Sequence, residues 1–286
     1  MGLRHIDAGG VTLAVTEACE GGRPLLAVHG FTGAKEDFTE LVAPLAEDGW
    51  HVVAPDLRGH GASDCPAGQD AYDLGFFVSD VLGVADALGF DRVALIGHSM
   101  GGAVAQRLAL DHPHRVTQLV LMSTFHGPLP LDPDVIGLGV AIVSSGGMAA
   151  LGAAMAARRA GDPAAQASRE RMERSRPGYG AWADAKLEAC SADMWMAMAP
   201  RFPAWPDTLD EVRSLDVPTL VVCGSEDETM GPQCEALASA IPGARLAVIE
   251  GTRHSPQVED PERTLAALRR FLDETVPIAA HEEDRA

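Results

Sequence analysis

The stretch Arg92-Val93-Ala94-Leu95-Ile96-Gly97-His98-Ser99-Met100-Gly101-Gly102 holds a serine in a G-x-S-x-G setting, after an apolar strand-like run and before a helix-like one. A strand that turns sharply into a helix forces the residue between them into a strained conformation, and side chains two positions either side would collide unless they were glycine. Gly97 and Gly101 meet that demand. The Ser99 hydroxyl is then expected at the top of a sheet, with the first free amides of the following helix aimed at any negative charge forming beside it. A serine that merely capped the helix would not need strand, turn and helix in this order.

Working outward, short apolar runs alternate with helix-like segments, the pattern of a mostly parallel sheet covered on both faces. The runs are Leu25 to Val28, Val52 to Ala54, Val93 to Ile96, Leu119 to Met122, Thr219 to Val222 and Leu246 to Ile249. Amphipathic candidates lie near Glu36 to Glu47, Leu74 to Leu88, Met100 to Leu110, Gln233 to Ala240 and Pro261 to Glu274, and Val11 to Val15 reads as an antiparallel edge strand. The rhythm breaks between Ser123 and about Asp216, where helical patterns run without a convincing strand, as in an insertion. The expected division is therefore a core over 1–123, a helical lid over 124–215, a second core segment over 216–276 and an acidic tail over 277–286.

Val135 to Ala157 carries no charge and passes the length test for a membrane span. Ser144-Ser145-Gly146-Gly147 interrupts it, so two short helices meeting at a turn, and no membrane insertion, are expected. The formal charge of −19, from 22 Lys and Arg against 41 Asp and Glu, repels phosphate backbones and argues against a nucleic-acid partner. Five cysteines without C-x-x-C spacing read as free thiols in a reducing compartment, and the first residues lack an apolar signal-peptide run, so a cytoplasmic location is expected.

A serine nucleophile needs a base, an orienting acid and an oxyanion hole, in the chain order Ser, then Asp or Glu, then His. After Pro218 to Cys223 comes Gly224-Ser225-Glu226-Asp227-Glu228, and after Leu246 to Glu250 comes Gly251-Thr252-Arg253-His254-Ser255-Pro256. Catalytic groups in open α/β sheets gather at such carboxyl ends. His254 is the candidate base and Asp227 the candidate acid, with Glu226 and Glu228 as rivals. The oxyanion donors are expected to be the amides of Met100 and, in Ala27-Val28-His29-Gly30-Phe31-Thr32-Gly33, of Phe31. His29 and His60 read as structural loop residues. His112-Pro113-His114 has metal-like spacing but no accompanying cluster, so no metal is assigned. His126, just past a strand end, and Trp195, Met196 and Met198, in a methionine- and tryptophan-rich insertion, are the candidate pocket residues under an apolar roof.

These pieces resemble the α/β-hydrolase superfamily over nearly the whole chain. The likeness rests on His29-Gly30-Phe31, Asp56-Leu57-Arg58-Gly59-His60-Gly61-Ala62-Ser63, the elbow from Gly97 to Gly102, Gly224 to Asp227, and Arg253-His254-Ser255-Pro256 with Glu259 and Pro261. The chain looks most like the helical-lid enzymes related to 3-oxoadipate enol-lactonase, bacterial carboxylesterases and cofactor-free haloperoxidases. Ser99, in place of an aspartate, departs from the epoxide-hydrolase and haloalkane-dehalogenase pattern. The resemblance implies an α/β-hydrolase fold and a Ser99, His254, Asp227 triad. It also implies a small-molecule ester or lactone substrate and no cofactor, and the apolar roof adds the expectation that the substrate has a sizeable apolar portion. Lyase or carbon–carbon hydrolase chemistry, or a silent receptor for an apolar ligand, are the alternatives the fold leaves open.

Overall fold

A computed structural model describes residues 2–275, so the expected acidic tail lies outside the described residues. Eight strands form one sheet: β1 Gly2–Asp7, β2 Thr12–Ala18, β3 Arg23–Val28, β4 Trp50–Pro55, β5 Val93–His98, β6 Val116–Met122, β7 Thr219–Gly224 and β8 Arg245–Ile249. Their order across the sheet is β1-β2-β4-β3-β5-β6-β7-β8. β2 runs antiparallel to β1 and β4, and the other pairings are parallel. The chain steps outward from β3 to β4 and then crosses back to β5, which leaves a switch point at the carboxyl ends of β3 and β5 where an open α/β sheet places its site.

Parallel strands buried on both faces read as continuous apolar runs because each face packs its own helices. Leu26, Val28 and Leu95 join one core, while Leu25, Ala27, Ala94 and Ile96 join a second on the opposite face. Helices α1 Thr39–Glu47, α2 Leu74–Ala87 and α3 Met100–Asp111 pack in the first half of the chain. After the insertion come α8 Gly231–Ala240, the short α9 Pro256–Glu259 and α10 Pro261–Glu274.

At the amino end the edge strand is β1, and the Val11 to Val15 run belongs to β2, which lies inside the sheet between β1 and β4. β1 escapes a hydrophobic-pattern reading because only Ile6 of its six residues is buried; its place comes from backbone pairing with β2.

The insertion consists of α4 Pro133–Ala160, α5 Pro163–Ser175, α6 Tyr179–Glu188 and α7 Ala192–Met198. By length and composition α4 could cross a membrane, with a mean hydropathy of 1.8 over its most apolar window. Gly147 breaks it, however: at φ 69°, ψ −167° it leaves the helical region, and only glycine takes that conformation without strain. The halves over 133–146 and 148–160 are each shorter than the roughly 20 residues a span needs. The expected break at Ser144 to Gly147 is thus where the helix kinks, although hydrogen bonding runs nearly through it.

Candidate active site

β5 is buried along its whole length and ends at the elbow. Ser99 has φ 52°, ψ −118°, a strained conformation that the surrounding close packing imposes. A Cβ on Gly97 would sit 2.3 Å from the Gly101 carbonyl oxygen, and one on Gly101 would sit 2.2 Å from the carbonyl oxygen of Val28. Any side chain there would push the helix off the sheet. Thr124 pins the turn by donating its hydroxyl to the Ser99 carbonyl at 2.6 Å. Thr32, Ser99 and Ser123, three of the four non-glycine residues at positive φ among the described residues, lie just past the ends of β3, β5 and β6, so backbone strain gathers around this one rim.

His254 reaches across from the loop after β8. Its Nε2 lies 3.1 Å from Ser99 Oγ and its Nδ1 lies 3.0 Å from Asp227 Oδ2. The geometry suits a neutral imidazole that donates Nδ1–H to the carboxylate and accepts the serine proton at Nε2. Asp227 is 8% exposed, and its Oδ1 accepts from the Met230 amide at 3.1 Å. Burial pulls this carboxyl upward, but the hydrogen bond and charge of His254, with the Met230 amide, outweigh it and hold the pKa below the ordinary value. Glu226 and Glu228 point outward and are exposed, so only Asp227 of the three carboxylates meets His254.

The loop after β3 closes on the serine from the other side. A Cβ on Gly30 would lie 2.9 Å from Ser99 Cβ, which places this backbone against the nucleophile. The Gly33 amide donates to Gly30 O at 2.9 Å, making a tight turn with Thr32 at φ 57° and Phe31 at its outer corner. His29 braces the turn: its ring bonds Gly30 O through Nδ1 at 2.8 Å and accepts the Leu57 amide at Nε2 at 3.0 Å. Among the described residues no acceptor takes the amide of Phe31 or Met100, so both remain free for an oxyanion.

Two residues that were given no role from the sequence support the base. Glu259 accepts the Arg253 amide on Oε2 and the Ser255 amide on Oε1, each at 3.0 Å, so one carboxylate grips the backbone on both sides of His254. His98 donates Nε2–H to the His254 carbonyl at 2.7 Å. The available signal was the placement of Glu259 at the end of α9, four residues after Ser255. We expect Glu259→Gln, which keeps only one acceptor oxygen, to lower kcat roughly tenfold with KM little changed, because a loosened base misaligns without altering ground-state binding. Steady-state kinetics on an ester substrate checks this, and a change confined to KM would contradict it.

Burial, reinforced by a neighbouring histidine, pushes both His60 and His98 down to about 3. Their folded pKa values lie below the unfolded value of about 6.5, so the unfolded chain binds more protons below that pH. Stability is therefore complete above about pH 6.5 and is lost as pH falls toward 3, by about 2 kcal/mol per histidine at pH 5. Urea unfolding at about pH 7 and about pH 5 should show the lower midpoint at the acid end. Equal midpoints would refute the buried-neutral assignment.

A cleft of about 460 Å³ opens between the insertion and the base loop. It is walled by His254, Arg253, Glu259 and Thr32 from the core and by Met155, Arg159, Arg169, Met172, Lys186 and Leu187, among others, from α4, α5 and α6. The expected pocket residues lie elsewhere. His126 bonds Asp207 at 2.9 Å, Met196 bonds Ser144, and Trp195 and Met198 are buried where α7 packs on the core. Trp195 comes nearest the site, its ring 6.2 Å from that of Phe31. None of these four lines the cleft, whose wall sets Arg159, Arg169, Asp184, Lys186, Arg253 and Glu259 beside Met155, Met172 and Leu187. The α7 methionines face inward because that short helix must bury its apolar side on the core.

Comparisons with known proteins agree with this architecture. Residues 23–261 match the alpha/beta hydrolase fold family. A Bacillus subtilis protein named as a candidate 2-succinyl-6-hydroxy-2,4-cyclohexadiene-1-carboxylate synthase is 28% identical over 95% of this chain and 99% of its own length. The enol-lactonase from Burkholderia xenovorans LB400 superposes with a TM-score of 0.80 at 25% identity, covering 94% of this chain and 100% of that one. Epoxide hydrolase A of Mycobacterium tuberculosis is 36% identical over 42% of this chain, and the match spans only 38% of that protein. The chain is a member of the α/β-hydrolase fold family, with hydrolase activity as the function its kinship supports.

Proposed function

We propose that the chain is a serine hydrolase that cleaves a carboxylic ester or lactone through an acyl-enzyme. The observation that carries this reading is His254 bridging Ser99 and Asp227 at 3.1 and 3.0 Å. His254 Nε2 takes the hydroxyl proton as Ser99 Oγ attacks the carbonyl carbon, and Asp227 stabilises the imidazolium that forms. The amides of Phe31 and Met100 receive the tetrahedral oxyanion. On collapse the imidazolium gives its proton to the departing alkoxide, and His254 then activates water to release the acid and restore Ser99. Met155, Met172 and Leu187 leave room in the cleft for an apolar portion of the substrate, beside its charged wall. The five free cysteines fit a cytoplasmic setting.

A panel of aryl esters and lactones tests the reading, with turnover of at least one class expected and lost in Ser99→Ala. The full-length likeness to a protein named as a synthase favours one second reading, an elimination driven by His254 and Ser99. Turnover in heavy-oxygen water separates the two: hydrolysis puts one labelled oxygen into the product carboxylate, and elimination puts in none.

A further inference from the structure

The cleft beside His254 differs in charge from the rest of the molecule. The chain carries a formal −19, yet the cleft is walled by Arg159, Arg169, Lys186 and Arg253 against only Asp184 and Glu259. Existing partners account for part of this excess. Arg169 grips both oxygens of Asp184, at 3.1 and 2.5 Å, which ties α5 to α6. Lys186 pairs with Asp37 and ties α6 to the core. Glu259 is occupied by the two backbone amides and by Arg171, 3.7 Å away.

Two guanidiniums remain. Arg159, on the lid helix α4, finds only the already engaged Asp184, at 3.5 Å. Arg253, next to the candidate base, has no hydrogen-bond or ion-pair partner for its guanidinium among the described residues, although it lines the cleft. A planar guanidinium fork matches a carboxylate, and the cleft is lined by one such fork from the core, Arg253, and one from the lid, Arg159.

We propose that the cleft selects substrates whose leaving portion carries a carboxylate, held between Arg253 and Arg159. This rests on the serine-hydrolase reading, because His254 delivers its proton to the departing oxygen and the cleft opens on the His254 side. The anchoring charge thus holds the part of the substrate that leaves, and the lid supplies half of the anchor.

The test pairs 4-butanoyloxybenzoate with its neutral primary amide, 4-butanoyloxybenzamide. The amide releases the better phenolate, so intrinsic reactivity opposes the expected order. The wild-type enzyme should show kcat/KM about tenfold higher for the carboxylate at low salt, shrinking as ionic strength rises. Arg253→Gln and Arg159→Gln should each bring the ratio toward one, while Arg158→Gln, an exposed neighbour outside the cleft, should leave it in place. A ratio near or below one in the wild type, or one indifferent to both cleft substitutions, overturns the proposal. Binding separates it from the hydrolase reading. In Ser99→Ala, 4-hydroxybenzoate should raise the melting temperature more than 4-hydroxybenzamide at equal concentration, and the difference should vanish when Arg253→Gln is added. If no ester is turned over but this preference holds, the hydrolase reading fails and the carboxylate site stands; equal shifts refute the site.

Discussion

Ser99→Ala should abolish ester turnover, lowering kcat on the order of 10⁶-fold, because the members of a nucleophile and base pair act as a unit. His254→Ala should cost a similar amount, and the double variant little more than either alone. The fold should survive, since alanine removes only the hydroxyl and Thr124 grips the elbow through the Ser99 carbonyl, which the substitution leaves in place. Alanine must still adopt φ near 52°, so some loss of stability is expected without loss of the elbow. Circular dichroism and steady-state kinetics read the two effects separately. Retention of more than about a hundredth of the wild-type rate would exclude Ser99 as the nucleophile, since the oxyanion hole and binding alone leave far less.

Asp227→Asn should lower kcat by roughly 10⁴, because an amide facing Nδ1 favours the wrong imidazole tautomer and cannot stabilise the imidazolium. Glu226→Gln and Glu228→Gln should change kcat less than about tenfold, as neither exposed side chain reaches His254. The ranking is the informative part. Kinetics on the three variants, with the nucleophile intact in each, would move the acid to a neighbour if Glu226→Gln or Glu228→Gln proved the damaging change.

The elbow and the acid turn were legible because each is a local signal, polar residues just beyond an apolar run that is a fully buried strand, and the base was legible from its place after the last strand, although β8 itself is largely exposed. Choosing Asp227 over its neighbours from residues alone was harder. Glu226 and Glu228 are exposed, and only the fold shows that the residue between them is buried and bonded to His254. β1 was illegible because its single buried residue leaves no alternation to read. The lining of the cleft beside His254 was illegible for another reason. Methionine and tryptophan in a helix are compatible with packing inward or with lining a cavity, and the docking of the insertion decides between them. That docking buried Trp195 and Met198 and left Arg159, Arg169 and Lys186 in the wall of the cleft that His254 also lines. Glu259 belongs to the same class, since its grip on both sides of His254 is a property of the folded loop.

The central claim is that Ser99, activated by His254, forms a covalent intermediate with its substrate. Reaction with a fluorophosphonate, followed by intact-mass measurement and peptide sequencing by mass spectrometry, tests it most directly. The account predicts one adduct per chain, on the Oγ of Ser99, with labelling suppressed in Ser99→Ala and greatly slowed in His254→Ala. An unlabelled wild-type enzyme, or an adduct that persists on another residue in Ser99→Ala, would contradict it.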